Sequence, residues 1–540
     1  MASSRAVEKT QESLSFFTCS TLKMDCTFTV GGLIACLLWF TLIYSSKKKR
    51  NTGISMKDLS REASKRSANG KARSDNDDGS MDVIIVGAGV AGAALAYALG
   101  KDGWRVHVIE RDLTEPDRIV GELLQPGGYL KLIDLDLDDC VSGIDAEEVF
   151  GVVFYKDGRS LKLPFPSNVY GRSLHNGRMI QKMRKKAASL PNVRFEEGTV
   201  TSLVKEKGII KGVHYKTKAG QESTAYAPLT IVSDGCFSNL RGSLCNPKVR
   251  FTSRCIGFVI ETSDVPHANY WHSVLTDPGL FFHSIGTNEV RFIVTFSGDV
   301  RIPSVSNGEL GKYLRTKVAP QVPQELRDAF ISAIDKANIK TATEVSVPAS
   351  PRPTPGGLLI GDALNARHPI TGGGMTVAFS DVVLLRDLLR PLSDLDDPFA
   401  LSKYLESFYT LRKPMACCIN SMAGLLMNIF APSNDPLNKA MSNACFDYFC
   451  LGHKRGIGLL SLISGLYPSR LCLLSHIFAL ALFAVARLLL PFPSPKRLWA
   501  AIRLLMGASS VAFTVIKEEG IRETFFPWTV PAYYRGPPAY

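Results

Sequence analysis

Apolar positions fall into three patterns along the chain. Residues 26–44, CTFTVGGLIACLLWFTLIY, carry no charge, and a helix of that length covers about 28 Å, close to the hydrocarbon thickness of a bilayer. In the middle of the chain, short β-branched runs end in glycine or an acid: 82–86 (DVIIV), 105–109 (RVHVI), 229–235 (LTIVSDG) and 357–363 (GLLIGDA). Continuous apolar runs of that length are the mark of strands buried on both faces of a parallel sheet. The runs 93–99 and 376–390 read as helices between them. Residues 149–165 and 251–297, with CIGFVIET, LFFHSI and VRFIVTF, predict a second, β-rich sheet on the substrate side. The third pattern comes near the C-terminus. Residues 471–486 form an uncharged run of 16, residues 498–516 a second interrupted by Arg503, and Pro491, Pro493 and Pro495 separate them. The first is short for a span and the second carries a charge, so both are expected to embed in one leaflet or lie at the interface.

Charge sharpens this organisation. The 540 residues hold 63 Lys and Arg against 50 Asp and Glu, a net +13. Residues 47–80 contribute +5 and residues 451–540 contribute +7, while residues 81–450 are within one charge of neutral. A nucleic-acid protein would carry the excess on its folded domain; cations beside apolar runs point instead to a lipid membrane. Lys47, Lys48, Lys49 and Arg50 follow residues 26–44 at once, which puts that side in the cytosol. The long leader and the absence of a small-residue cleavage site argue against a removable signal peptide. The expected organisation is a leader over 1–25, a transmembrane anchor over 26–44, a basic linker over 45–80 too polar to order itself, a catalytic body over 81–450 with interleaved cofactor and substrate domains, and a membrane-associated helical region over 451–540. Twelve cysteines are too few for a disulfide scaffold, and none has zinc-ligand spacing, so no metal is expected. Cys417–Cys418 reads as buried small hydrophobes.

The chemistry centres on one turn. Gly87-Ala88-Gly89-Val90-Ala91-Gly92 follows the strand at 82–86 and opens a helix, and Glu110 ends the next strand 18 residues beyond Gly92. In such a βαβ unit Gly87 permits the tight turn, Gly89 lets a pyrophosphate approach the backbone, and Gly92 lets helix pack on strand. The helix N-terminus offers free N–H groups to phosphate, and Glu110 suits a ribose hydroxyl. The motif alone does not separate FAD from NAD. Asp234-Gly235 and Gly361-Asp362 end two later strands, and Thr371-Gly372-Gly373-Gly374-Met375 opens another helix. No second such glycine motif follows a strand.

The order of glycine motif, Glu-Arg, Asp-Gly and Gly-Asp resembles the flavoprotein monooxygenases of the aromatic-hydroxylase fold. Within them, Gly121-Glu122-Leu123-Leu124-Gln125-Pro126-Gly127-Gly128, Asn365-Ala366-Arg367-His368-Pro369 and Thr371-Gly372-Gly373-Gly374-Met375 resemble the squalene monooxygenases (squalene epoxidases), and the N-terminal anchor and linker resemble the plant forms. The likeness covers roughly residues 81–516. It implies an α/β fold: an FAD-binding, Rossmann-like domain with a β-rich substrate domain. It implies epoxidation of squalene to (S)-2,3-oxidosqualene with O2, in sterol and triterpenoid biosynthesis at the endoplasmic reticulum, with electrons from NADPH–cytochrome P450 reductase. The flavin carries that chemistry, so no protein nucleophile is implied. Two other readings stay open: another lipid-modifying flavoenzyme such as an isoprenoid reductase, and a non-catalytic membrane-bound flavoprotein.

Carried over by resemblance, the FAD contacts fall on Val90 and Ala91 in the glycine turn, on Glu110, Arg111, Arg118, Arg184 and Val200, and on Asp362 and Met375. The three arginines would donate to phosphate and ribityl oxygens, and Asp362 would be a buried acceptor at a strand end. Gln125 and Val152 are expected near the active site. Val152 stands where the family commonly has tyrosine after the glycine of Asp145-Ala146-x-x-Val149-x-Gly151. His267, His272 and His283 lie in the second sheet and read as structural.

Overall fold

The computed structural model describes residues 80–538 except 167–168, 247, 277, 299, 305, 337–338, 432 and 452. The leader, the anchor and all of the linker but Ser80 lie outside the described residues.

Strand Val83–Val86 is buried at every position. It pairs in parallel with Val106–Glu110 on one side and Leu229–Val232 on the other, and Gly357–Leu359 extends the sheet beyond Leu229–Val232. These are the four runs that the sequence marks as parallel strands. Val193–Glu206 joins in parallel beside Val106–Glu110, and Ile209–Thr217 and Glu222–Tyr226 follow antiparallel to complete a seven-stranded sheet. Helix Val90–Lys101 buries ten residues and packs on helices Asn176–Ala188 and Gly374–Leu389. Its close seat needs Gly92, where a Cβ would collide with the carbonyl of Gly87 and lie 2.6 Å from Ser233 Oγ.

The second sheet also has seven strands, in the order Lys340–Ser346, Arg250–Glu261, Glu289–Ser297, Gly279–Gly286, Trp271–Val274, Gly151–Lys156 and Arg159–Pro164. Its two faces have different tasks. One stacks Phe258 and Phe292 under Phe330 of helix Gln324–Lys336. The other turns Val152, Phe154, Leu163, Trp271 and Phe281 toward Leu123 and toward helices of the C-terminal region. A third, three-stranded sheet is antiparallel, with Gly171–Ser173 between Leu123–Leu124 and Glu147–Val149.

Between Pro398 and Glu518 the described residues are mostly helical, and the buried pair Cys417 and Cys418 packs there in the same cluster as Trp271 and Phe281. The last two long helices, Arg470–Leu489 and Pro495–Glu518, have 20 and 24 residues, and each contains a long apolar stretch. The first exceeds the 16-residue run seen in the sequence, because Ser469 caps its start by accepting from the amide of Cys472 and Arg487 lies in its last turn, where a cation is favoured. By length and composition both could cross a membrane. Leu471, Leu482, Leu490, Phe492, Leu498 and Trp499 are exposed on or between them.

Candidate flavin and substrate site

The glycine turn has the geometry that its spacing demands. Gly87 adopts φ +93°, and a Cβ there would lie 2.8 Å from the carbonyl oxygen of Ser233. Gly89 caps helix Val90–Lys101 without any side-chain cap, and a Cβ at Gly89 would meet nothing within 4 Å. The helix N-terminus is therefore open to an anion. Glu110 ends its strand with Oε2 accepting from the amide of Ala88 and Oε1 accepting from Asp112 at 3.3 Å. Ser233 Oγ donates within 2.9 Å of the carbonyls of Val86 and Gly87, which fixes the turn from the neighbouring strand.

The three arginines divide. Arg111 and Arg118 are exposed. Arg184 is buried, and its Nε donates to the carbonyl of Ala88 at 2.9 Å and its Nη1 to that of Thr114 at 3.1 Å. Its Nη2 lies 3.9 Å from Glu110 Oε2. Arg184 is thus a strut under the glycine turn, with two of its donors spent on backbone, a role that the sequence does not show.

Asp362 also differs from expectation. Its side chain is 51% exposed, 3.7 Å from Arg367 Nη2, in the first turn of helix Gly361–Leu364. Gly361 before it takes φ +59°, and an added Cβ there would lie 3.0 Å from Ala91 Cβ. The structure therefore brings Gly361-Asp362 to Val90-Ala91, although the two segments are far apart in sequence. Met375 is buried at the start of helix Gly374–Leu389, with Asn176 Nδ2 3.8 Å from its sulfur. Val200 is half-buried on Val193–Glu206 against the core of the first sheet.

Further polar groups gather at the same turns. Buried Asp234 Oδ1, Thr371 Oγ1, Thr376 Oγ1 and Gln125 Oε1 have no hydrogen-bond partner, and burial pushes the Asp234 carboxyl up. Gln125 Nε2 donates to the carbonyl of Thr371 at 2.7 Å, and a Cβ on Gly372 would lie 2.9 Å from Leu123 Cδ2. His368 braces this loop: its Nδ1 accepts from the amide of Ile370 at 3.1 Å, and its Nε2 lies 2.8 Å from Ser253 Oγ and 2.9 Å from Glu344 Oε2. Serine and glutamate meet the same nitrogen, so this trio is no hydrolytic triad; a general base there would need the glutamate on Nδ1. The open helix N-terminus, the acid at the second strand end and the unpartnered buried acceptors together fit a flavin dinucleotide.

Val152 is 1% exposed and stands opposite Trp271 and Leu163 on the face shared with Leu123. Gln125 thus touches the second glycine turn, and Val152 lines the apolar wall beside it. Among the histidines, His267 is exposed in a turn at φ +52°. His272 stacks on Phe282 with ring centroids 4.3 Å apart and meets Tyr155 OH at 3.1 Å. His283 has neither kind of partner. Among the described residues no group of three or more His, Cys, Asp or Glu is placed to hold a metal ion.

The family model for squalene epoxidase matches residues 226–499, and that for FAD-dependent oxidoreductases matches residues 82–116. Squalene monooxygenase SE1 of Panax ginseng is 56% identical over all of both chains. Squalene epoxidase 3 of Arabidopsis thaliana is 55% identical over 96% of this chain and 98% of its own. Among solved structures, the myxobacterial FAD-dependent halogenase CndH superposes with a TM-score of 0.56 at 13% identity, covering 81% of this chain and 97% of its own. At that identity the likeness speaks for the fold alone.

Proposed function

The chain belongs to the squalene epoxidase family, and from that premise we propose how its own residues serve the reaction. The activity is FAD-dependent monooxygenation of squalene: one atom of O2 enters a carbon–carbon double bond as an epoxide, the other leaves as water, and NADPH supplies the two electrons. When bound, FAD supplies the activation of O2 and the oxygen transfer.

The protein's part is to hold, orient and keep dry. Glu110 holds the adenosine ribose, and the amides around Gly89 and Val90 receive the pyrophosphate. Arg184 keeps Ala88 and Glu110 in register. Asp362, Val200 and Met375 complete the cradle, with Arg111 and Arg118 at its exposed edge. Squalene has no polar handle, so its binding rests on shape and apolar burial. The apolar face of Val152, Trp271 and Phe281 meets Leu123 beside the second glycine turn, and the contact of Gln125 with Thr371 carries this reading, because it joins that wall to the flavin cradle. Exclusion of water by such a wall protects reactive oxygen species on the way to product.

Electrons come from a partner reductase, because the only glycine motif of this kind after a strand serves FAD. The protein associates with membranes. We place it at the endoplasmic reticulum with the body over 81–450 in the cytosol, on the strength of the cations at 47–50. Oxygen uptake by the purified full-length protein should require squalene, NADPH and the reductase together. Uptake with NADPH alone at the same rate would reject the partner requirement, and uptake without squalene would reject the coupling to substrate.

A further inference from the structure

The string Asn365-Ala366-Arg367-His368 carries none of the flavin contacts. All four residues line a cavity of about 290 Å3, near the lower end of the size range for small-molecule sites. Helix Lys413–Phe430 borders it through Asn420, Gly424, Met427 and Asn428, and helix Pro495–Glu518 closes it through Val511 and Val515. Neither Val152 nor Trp271 of the apolar wall borders it. The cavity is therefore separate from the flavin cradle and from the wall.

Asn420 and Glu519 are buried at this cavity, as is the side chain of Arg367. Each leaves one polar atom without a hydrogen-bond partner: Asn420 Oδ1, Glu519 Oε2 and Arg367 Nε. The rest of the three side chains is joined. Asn420 Nδ2 donates to Glu519 Oε1 at 2.8 Å and to Asn365 Oδ1 at 2.6 Å, and Arg367 Nη2 donates to the Asn365 carbonyl. Lys413 Nζ stands 3.6 Å from Glu519 Oε2, outside hydrogen-bond reach. Native proteins seldom leave such buried groups unmet without a use.

The lining selects the chemistry of an occupant. It carries Arg250 and Arg367 against Glu518 and Glu519, and Arg250 pairs with Glu518. A charged head would lose its hydration there and meet no net opposite charge. A hydroxyl gives one donor and also accepts. Two hydroxyls satisfy the two acceptors and the one donor; a single hydroxyl leaves an acceptor unmet. The occupant is also a lipid. Helix Pro495–Glu518 is long and apolar enough to cross a membrane, and its periodicity sets exposed Leu498, Ile502 and Phe513 on the face opposite Val511 and Val515.

We propose that this cavity binds the head of a neutral lipid with two hydroxyls on neighbouring carbons. That chemistry is shared by a monoacylglycerol and a sugar-headed glycerolipid. The hydroxyls donate to Asn420 Oδ1 and Glu519 Oε2 and accept from Arg367 Nε, while the chain lies along Val511 and Val515. Arg367 Nη1 is 3.4 Å from the carbonyl of Gly374, so one side chain separates the occupant from the second glycine turn.

Full-length, flavin-loaded protein in phosphatidylcholine nanodiscs tests this. It is irradiated with a monoacylglycerol whose acyl chain carries a diazirine, and the labelled peptides are mapped by mass. Label should fall on helices Lys413–Phe430 and Pro495–Glu518. Unlabelled monoacylglycerol should displace it about tenfold more effectively than a fatty alcohol of equal chain length. A glycosyl diacylglycerol separates the sources: displacement extends the site to sugar heads, and none restricts it to monoacylglycerol. Val511→Trp fills the cavity and should reduce labelling several-fold at unchanged flavin content. If that variant does not fold, the wild-type competition decides. Absent label, label only elsewhere, equal displacement by the fatty alcohol, or undiminished label in folded Val511→Trp overturns the proposal.

Discussion

Glu122 and Arg291 meet in a two-point ion pair, Nε to Oε2 at 2.7 Å and Nη2 to Oε1 at 2.9 Å, with both side chains buried. The pair ties the segment leading into Leu123 and Gln125 to the second sheet, next to His283 in the strand pairing. It thereby sets the distance between the apolar wall and the flavin turn. Burial pushes the Glu122 carboxyl up, and the Arg291 guanidinium opposes that rise.

Arg291→Leu should lower stability by about 3–5 kcal/mol, because it leaves a buried carboxylate without its partner. Adding Glu122→Gln to that variant should recover part of the loss. Denaturant titration of the wild type, both single variants and the double variant measures the coupling. Additive effects would show that the pair does not act as a unit.

Asp362→Ala removes a half-exposed acceptor that stands against the glycine turn. It should raise the dissociation constant for FAD by roughly tenfold or more, the effect of one lost hydrogen bond to a polar group. The melting temperature of flavin-free protein should stay close to wild type, since the side chain supports little of the core. Unchanged flavin affinity would make Asp362 a turn residue only.

Burial holds both His272 and His283 near pKa 3 in the folded protein, against 6.5 as the ordinary value. The unfolded chain therefore takes up protons below about pH 6.5 that the folded chain refuses. Their stabilising contribution is complete above that pH and is lost as pH falls toward 3. At pH 5.5 each histidine should have cost about 1.4 kcal/mol relative to neutral pH. Melting at pH 7.5 and 5.5 tests this, and His272→Phe should reduce the difference; an identical difference in the variant would contradict it.

Val152 occupies a fully packed position across from Trp271. Epoxidation of squalene by the native protein should be measurable, and Val152→Tyr should increase it by restoring a ring and a hydroxyl to the wall. The larger side chain must displace neighbours, so stability should fall by about 1–3 kcal/mol. Turnover per bound flavin and the melting temperature are read on the same sample. A drop in both would show that the wall is built around valine.

Much of the first sheet is legible in the sequence because its constraints are local. Gly87 needs a positive φ, Gly92 needs a missing Cβ, and Val83–Val86 needs no polar position. Arg184 illustrates the limit. Its partners Ala88 and Thr114 lie 96 and 70 residues away, and nothing in the string around Arg184 says that two donors will be turned inward. Gln125 and Thr371, 246 residues apart, meet only through the fold. His283 alternates with apolar neighbours like any structural histidine in a strand; its missing partners emerge only when the sheet places Trp271 and Arg291 beside it. The approach of Gly361 to Ala91 likewise emerges only in the fold.

The central claim is that this cradle and apolar wall together transfer one atom of O2 to squalene. Full-length, flavin-loaded protein with the reductase and NADPH under 18O2 tests it directly. The account predicts 2,3-oxidosqualene carrying a single 18O atom, detected by mass. Unmodified squalene from reduced, flavin-loaded protein, or an epoxide whose oxygen comes from water, would contradict it.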